Sequence, residues 1–506
     1  MHAKNKIIFS LIVGCALPTP AVQAQDDTGT ALTIYSTAQP GAIAPDLYRN
    51  GGNGRAVPGY AVVRQERGIA LEHGRNSVRF TDVAALIDPT TVMFESLTDP
   101  SGTSVIEQNF QFDLVSNEKL LQKYVDRTIK VDQVRGNTVE SFSGTLLSTS
   151  GGMILKRDDD SVQMLPYSTG VTLPSLPGGL ITRPTLVWDI NAQRAGNHRT
   201  RVSYQTTGIT WWADYNVTYA EDADANSCKL DIGAWVSIIN QSGASYPEAK
   251  LKLIAGDVQR TEAIGLMMAK SRPEMAARDA AAPGFVEKAF FEYHLYTLGR
   301  STTLPDNSTK QIELFPVARS VACEKTLVYY GAAPGYYGFL ANPITDRDFG
   351  VQTNKKVDVY VGFKNSSENN MGMPLPAGRI RVSKMDSADK TFEFIGEKII
   401  DHTPRNERVL IKLGSAFDVV GERRQTDFSV DTTHKTMTET IEIRLRNQKK
   451  EPVTVTAKEN LYRWVNWKIT QKTHDYQKED ARTVNFPVKI AADGESVLRY
   501  TVQYSW

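Results

Sequence analysis

The stretch TTGITWWADYNVTY, residues 206–219, sets two tryptophans side by side in what reads as a single strand. Successive side chains of a strand face opposite ways. The odd positions Trp211, Ala213, Tyr215, Val217 and Tyr219 make one apolar face; the even positions Trp212, Asp214, Asn216 and Thr218 are polar apart from one indole. After a polar turn, CKLDIGAWVSII at 228–239 repeats the pattern. Cys228, Leu230, Ile232, Ala234, Val236 and Ile238 share the apolar face, and Trp235 is the exception on the polar one. Directly opposed residues of an antiparallel pair point the same way. A register pairing Tyr219 with Cys228 therefore also pairs Trp212 with Trp235 and brings Asp214 alongside. Such a face suits stacking on a sugar or peptide, or it fills a seam beneath another part of the chain.

Outward from these strands the chain is of ordinary globular composition. Its 506 residues hold 41% hydrophobic and 23% charged residues, with a net charge of +1. Roughly two to four domains are expected, and the balanced charge gives no support to a nucleic-acid partner. Residues 1–24 have the plan of a signal peptide: Lys4 and Lys6, an apolar run from Ile7 to Leu17, and Val22-Gln23-Ala24 as a cleavage site. We expect a periplasmic or secreted protein cleaved after Ala24. The alternative is a lipoprotein anchored through Cys15, which ends the lipobox-like Ile12-Val13-Gly14-Cys15. No other stretch is long and apolar enough for an integral membrane helix. Two cysteines then remain, Cys228 and Cys323, and an even pair in an exported chain suggests one disulfide.

Turn chemistry and alternation define the expected organisation. Residues 25–115 read as an extended segment followed by a small β domain. At 116–172, Ser116 caps a short helix with Leu120, Leu121, Tyr124 and Val125 on one face, and short strands follow with tight turns such as Asp158-Asp159-Asp160. That plan resembles an SH3-like or Sm-like small barrel, read here as a structural insertion. From 180 to 506 strand-like runs continue, interrupted by an Ala- and Met-rich excursion at 263–284 and a long loop at 331–350. The expected class is mainly β: antiparallel β-sandwiches, a small barrel and little helix.

The usual signatures of chemistry are missing. The seven histidines show no metal-ligand spacing, and there is no GxSxG, phosphate-binding loop, GxGxxG or CxxC. A triad assembled in space stays open. DADAN at 222–226 begins like a calcium loop but lacks the turn glycine and closing glutamate, so it reads as a hairpin turn. The closing strand, with Leu498, Tyr500, Val502, Tyr504 and Trp506 alternating, reads as a sandwich strand; an outer-membrane barrel strand is the remote alternative. No catalytic residue, cofactor or metal site is assigned.

Several motifs together resemble the bacterial family named domain of unknown function 4139, related to mucoidy inhibitor A proteins. They are YQTTGITWWADY at 204–215, LPDNSTKQIEL at 304–314, MPLPAGRIRV at 373–382, FIGEKIIDHTP at 394–404 and LGSAFDV at 413–419. The resemblance spans residues 60–506 and implies an exported, β-rich, multi-domain protein with no reaction attached. The coiled coil common in the family is absent, and the small barrel stands in its place. Read alone, MPLPAGRIRV is a turn feeding a strand with Ile380 and Val382 inward and Arg379 and Arg381 outward, and AFDV packs Phe417 inside while Asp418 accepts local hydrogen bonds. The expected function is a non-enzymatic envelope protein that binds or scaffolds an envelope protein or glycan, through the Trp212, Asp214 and Trp235 face or the 263–284 excursion. The alternative is a hydrolase acting on envelope glycan or peptide, with Asp214 as its one candidate acid.

Overall fold

The structure is a computed structural model that describes residues 29–35, 57–136, 138–175, 177–178, 180–222, 226–256, 284–331, 342–350 and 354–506. The signal segment with Cys15, the cleavage site after Ala24 and the 263–283 excursion lie outside the described residues. The class is mainly β, as the alternation predicts, and among the described residues no sheet closes into a barrel. No helix there is long and apolar enough to cross a membrane.

The first sandwich faces two sheets across one core. Eight strands form the larger: Phe285–Phe290, Tyr293–Leu298, Tyr246–Ala255, Gly29–Tyr35, Tyr60–Leu71, Gly196–Thr207 and Ile87–Ser96 in order, with Thr302–Leu304 joined to Tyr246–Ala255. The smaller is Gly74–Thr81, Thr185–Ala192 and Thr103–Gln111. Trp188 is fully buried between them, its ring 5.4 Å from Phe80 and 5.2 Å from Phe94. These pairings correct the partition expected from sequence. Strands on either side of 116–172 belong to the same sheets, so neither 115 nor 180 divides one domain from the next.

The 116–172 unit is an insertion with a core of its own, built on Tyr124, Ile129, Val131, Leu146, Leu155 and Leu165. Ser116 caps the helix Asn117–Lys123 by accepting from the Lys119 amide at 3.2 Å. Five strands follow in the order Gly170–Thr172, Thr128–Arg135, Thr138–Ser148, Met153–Lys156, Val162–Leu165. This is the helix-then-strands plan expected, but the outer two strands do not pair, so the sheet stays open. Its two ends meet: Leu114 bridges Ile181, and the Val115 amide donates to the Ile181 carbonyl at 3.0 Å.

A sheet of thirteen strands makes up the rest. Its main path runs Phe392–Ile400, Gly378–Met385, Ile209–Glu221, Ser227–Asn240, Ser308–Tyr330, Lys356–Lys364, Arg408–Asp431, Thr436–Asn447, Gly494–Ser505, Trp467–Lys472. Val453–Asn460 also pairs with Ser308–Tyr330. The first end curls back: Lys398 Nζ donates to the Leu410 carbonyl at 2.8 Å across the fold. Two long strands serve two cores. Ser308–Tyr330 gives Ile312, Leu314 and Val321 to the first core and Leu327 and Tyr329 to the second. Arg408–Asp431 gives Val409 and Ile411 to the first and Val419 to the second. Leu498, Tyr500, Val502 and Tyr504 of the closing strand all face the second core. Phe417, in contrast, is 95% exposed, which corrects its expected burial.

The second core also encloses charge. Arg423 Nε donates to Glu459 Oε2 at 2.9 Å, and the Tyr500 hydroxyl donates to the same oxygen at 2.5 Å. Arg463 is fully buried, with its Nε 3.2 Å from Glu439 Oε2, and its guanidinium donates to the carbonyls of Ile344 and Asp346 at 3.1 and 2.6 Å. A buried charge costs several kcal/mol unless its donors are met. The Arg463 Nη1 and Nη2 donors are met and tie residues 344–349 of the expected long loop to the sheet, whereas Arg463 Nε and Arg423 Nη1 have only their carboxylates' charge beside them.

Candidate functional site

The two tryptophan strands form as the alternation predicts. Trp211, Ala213, Tyr215, Val217 and Tyr219 are all buried in the first core. The register differs from the expected one by two residues. Trp212 pairs with Ser237, Asp214 with Trp235, Tyr219 with Leu230 and Glu221 with Cys228. The slip leaves each indole on its predicted face, because a two-residue shift preserves the side-chain period. It removes the direct Trp212–Trp235 pairing.

Trp212 is covered. Only 5% exposed, it packs with Val57 and Ile239. The chain at 57–59 crosses immediately above, so close that a Cβ on Gly59 would sit 2.7 Å from Thr210 Oγ1. The covering element is thus the segment that leads into Tyr60–Leu71, and Trp212 cannot present a binding surface. Its indole Nε1 instead donates to Asp214 Oδ2 at 2.7 Å. Ser237 Oγ donates to the same oxygen at 2.9 Å and accepts from Gln311 Nε2 at 3.0 Å. Trp235, one pair further on, remains 39% exposed.

The motif MPLPAGRIRV completes this face. The Tyr215 hydroxyl donates to the Pro376 carbonyl at 2.7 Å and the Tyr296 hydroxyl to the Pro374 carbonyl at 2.9 Å. Gly378 then enters the sheet where a Cβ would meet the Ala213 carbonyl oxygen at 2.5 Å, so only glycine passes. Beyond it Arg379 pairs with Asp214 and Arg381 with Asn216, with Ile380 and Val382 buried as predicted. Arg381 Nη1 lies 3.5 Å from Asp214 Oδ1 and its Nε 3.5 Å from Glu397 Oε2. Asp214 is 9% exposed. It acts as the knot of a polar cluster beside Trp235, its cross-strand partner, and not as a free acid in an open cleft.

One serine–histidine pair does assemble in space. His198 Nε2 lies 2.9 Å from the Arg194 carbonyl, which can only accept, so the other nitrogen accepts from Ser96 Oγ at 2.9 Å. Ser96 and His198 are 2% and 1% exposed, and Ser96 Oγ also accepts from the Asp99 amide. The pair fastens a turn and is closed to substrate. Among the described residues no three His, Cys, Asp or Glu side chains gather as a metal site.

Cys228 and Cys323 stand opposite each other on adjacent antiparallel strands and are joined as a disulfide. Residues 223–225 of the predicted DADAN turn lie outside the described residues. Among the described residues, concavities open on the thirteen-stranded sheet. One, of about 240 Å³, lies at the curled end between Tyr219, Lys325, Lys384 and Leu413. Another, of about 290 Å³, lies among Thr326, Tyr330, Tyr360, Leu410, Thr456 and Asn485. No signal in the sequence reading marked either, since their residues come from strands far apart in the chain. Comparison with known proteins finds no matching family model, curated protein or solved structure.

Proposed function

We propose that this chain is an exported, non-enzymatic protein of the bacterial cell envelope that binds or scaffolds another envelope component, and that it belongs to the family of domain of unknown function 4139. The observation that carries the reading is Trp235: an exposed indole on a sheet face where the neighbouring polar groups are already hydrogen-bonded to one another. An exposed indole on a regular strand gives a large apolar contact area at little entropic cost. The disulfide favours an oxidising compartment, outside the cytoplasm. Catalysis is disfavoured because Asp214 is engaged by Trp212, Ser237 and Arg381.

The test is a photo-crosslinking residue placed at Trp235 in living cells, with Trp212 as the internal comparison. Position 235 should capture one envelope protein or glycan, and position 212 only the chain itself. Intrachain products alone from position 235 would refute the reading.

A further inference from the structure

The 290 Å³ groove is built from one face of five strands. Alternation along Ser308–Tyr330 puts Glu324, Thr326, Val328 and Tyr330 on the same side. Thr326 pairs with Tyr360, Val328 with Thr456 and Tyr330 with Lys458. Lys458 in turn pairs with Asn485, and Gly362 with Leu410. The result is a trough with Thr326, Val328 and Thr456 along it, lined also by Tyr330 and Tyr360, whose hydroxyls are hydrogen-bonded to each other at 3.4 Å.

Its charges cancel at each end. Arg408 Nη2 reaches Glu324 Oε2 at 2.7 Å, crossing Gly362 where a Cβ would stand 2.9 Å from its Nε. At the other end Lys458 Nζ meets Glu479 Oε1 at 2.6 Å, and Asn485 Nδ2 donates to Glu479 Oε2 at 2.8 Å. Two cations face two carboxylates, so the trough offers no net field to an ion. It offers hydroxyl groups that both donate and accept, and aromatic rings that pack on apolar C–H surfaces. Burial pushes the Tyr360 phenol up to about 12, further from ionisation than an ordinary tyrosine.

We propose that this groove is a binding site for a neutral, hydroxyl-rich saccharide, with Tyr330 and Tyr360 as its contact residues. The volume is at the small end of ligand pockets, which run from about 300 to 1,000 Å³, and suits a short glycan segment or chain end. The proposal adds a ligand class and a second surface to the envelope-binding role, and it does not depend on Trp235.

The experiment is saturation-transfer NMR and calorimetric titration of the full chain with N,N′-diacetylchitobiose and with maltose. At least one should bind, with an affinity that added salt leaves unchanged. Tyr330→Ala should weaken that binding by about tenfold or more, and Trp235→Ala should leave it intact. Thr456→Trp, at a half-exposed position outside the core, fills the trough and should abolish binding while thermal unfolding stays as in the parent. The proposal is overturned if neither disaccharide binds, if binding is salt-sensitive, or if Thr456→Trp binds like the parent. Crosslinking at Trp235 is scored separately, so either reading can fail alone.

Discussion

The indole of Trp212 donates to the carboxylate of Asp214, two residues further along the same strand, at 2.7 Å, and Ser237 donates to the same oxygen from the neighbouring strand. Both donors are buried, so removing the carboxylate takes away a hydrogen bond that each makes out of contact with water. Asp214→Ala should lower the unfolding free energy by about 1–3 kcal/mol, read as a lower urea midpoint. Trp235→Ala, at an exposed position, should shift it by no more than about 0.5 kcal/mol. An Asp214→Ala protein as stable as the parent would contradict the structural role given to this carboxylate.

Arg463 and Glu439 make the corresponding test in the second core. Arg463→Met leaves Glu439 buried without its cation and frees the carbonyls at 344–349, so a loss of about 3–5 kcal/mol is expected. Pairing it with Glu439→Leu should recover the part of that loss due to the unpaired carboxylate, and leave the part due to the freed carbonyls. Chemical denaturation of the single and double variants decides it.

The disulfide ties residues separated by 95 positions. On the chain-entropy account its stabilisation is on the order of 4 kcal/mol. Unfolding in denaturant with and without reductant should show that difference, and thiol labelling of the unreduced, unfolded protein should leave Cys228 and Cys323 unmodified. Labelling there would show that the cysteines are free.

Because Leu114 already bridges Ile181, the small unit can be cut away without reaching across a gap. A chain with residues 116–178 replaced by a short Gly-Ser linker should fold. Its near-ultraviolet circular dichroism should keep the signal of Trp188 and Trp211, both in the other core. Collapse of that signal would show that the insertion supports the sandwich it interrupts.

Acid should weaken the fold through carboxylates held by guanidinium groups. Glu442 is lowered from its ordinary value by hydrogen bonds from Arg499 and Arg444, and Glu66 by those from Arg201 and Arg199. A depressed folded pKa means the unfolded chain takes up protons first as pH falls. The stabilisation is therefore present above the unfolded value of about 4.3 and lost progressively below it. Glu442→Gln should flatten the stability–pH profile in that window and leave its slope near neutrality unchanged.

The faces of the tryptophan strands were legible because side-chain alternation is local, and so were the inward Ile380 and Val382 and the helix cap at Ser116. The register was not legible. A slip of two residues returns every side chain to the same face, so alternation cannot separate Trp212 opposite Trp235 from Asp214 opposite Trp235. Nor could local pattern show that the chain at Val57 covers Trp212, or that strands before 116 pair with strands after 180, since these contacts join distant segments. The buried charge does leave a local signal in the sequence. Glu439 alternates with Met437, Ile441 and Ile443, and Glu459 with Val455 and Ala457, each a carboxylate on an otherwise apolar face. A carboxylate in such a place requires a buried cation, and the structure supplies Arg463 and Arg423.

Ser308–Tyr330 and Arg408–Asp431 each thread both cores without a break, so neither core has a hinge at which to part from the other. A pull applied lengthwise along these strands meets their backbone hydrogen bonds in shear, many at once, instead of opening them one by one. The resistance of the molecule to being pulled apart between its two cores would then reside in two continuous β-strands.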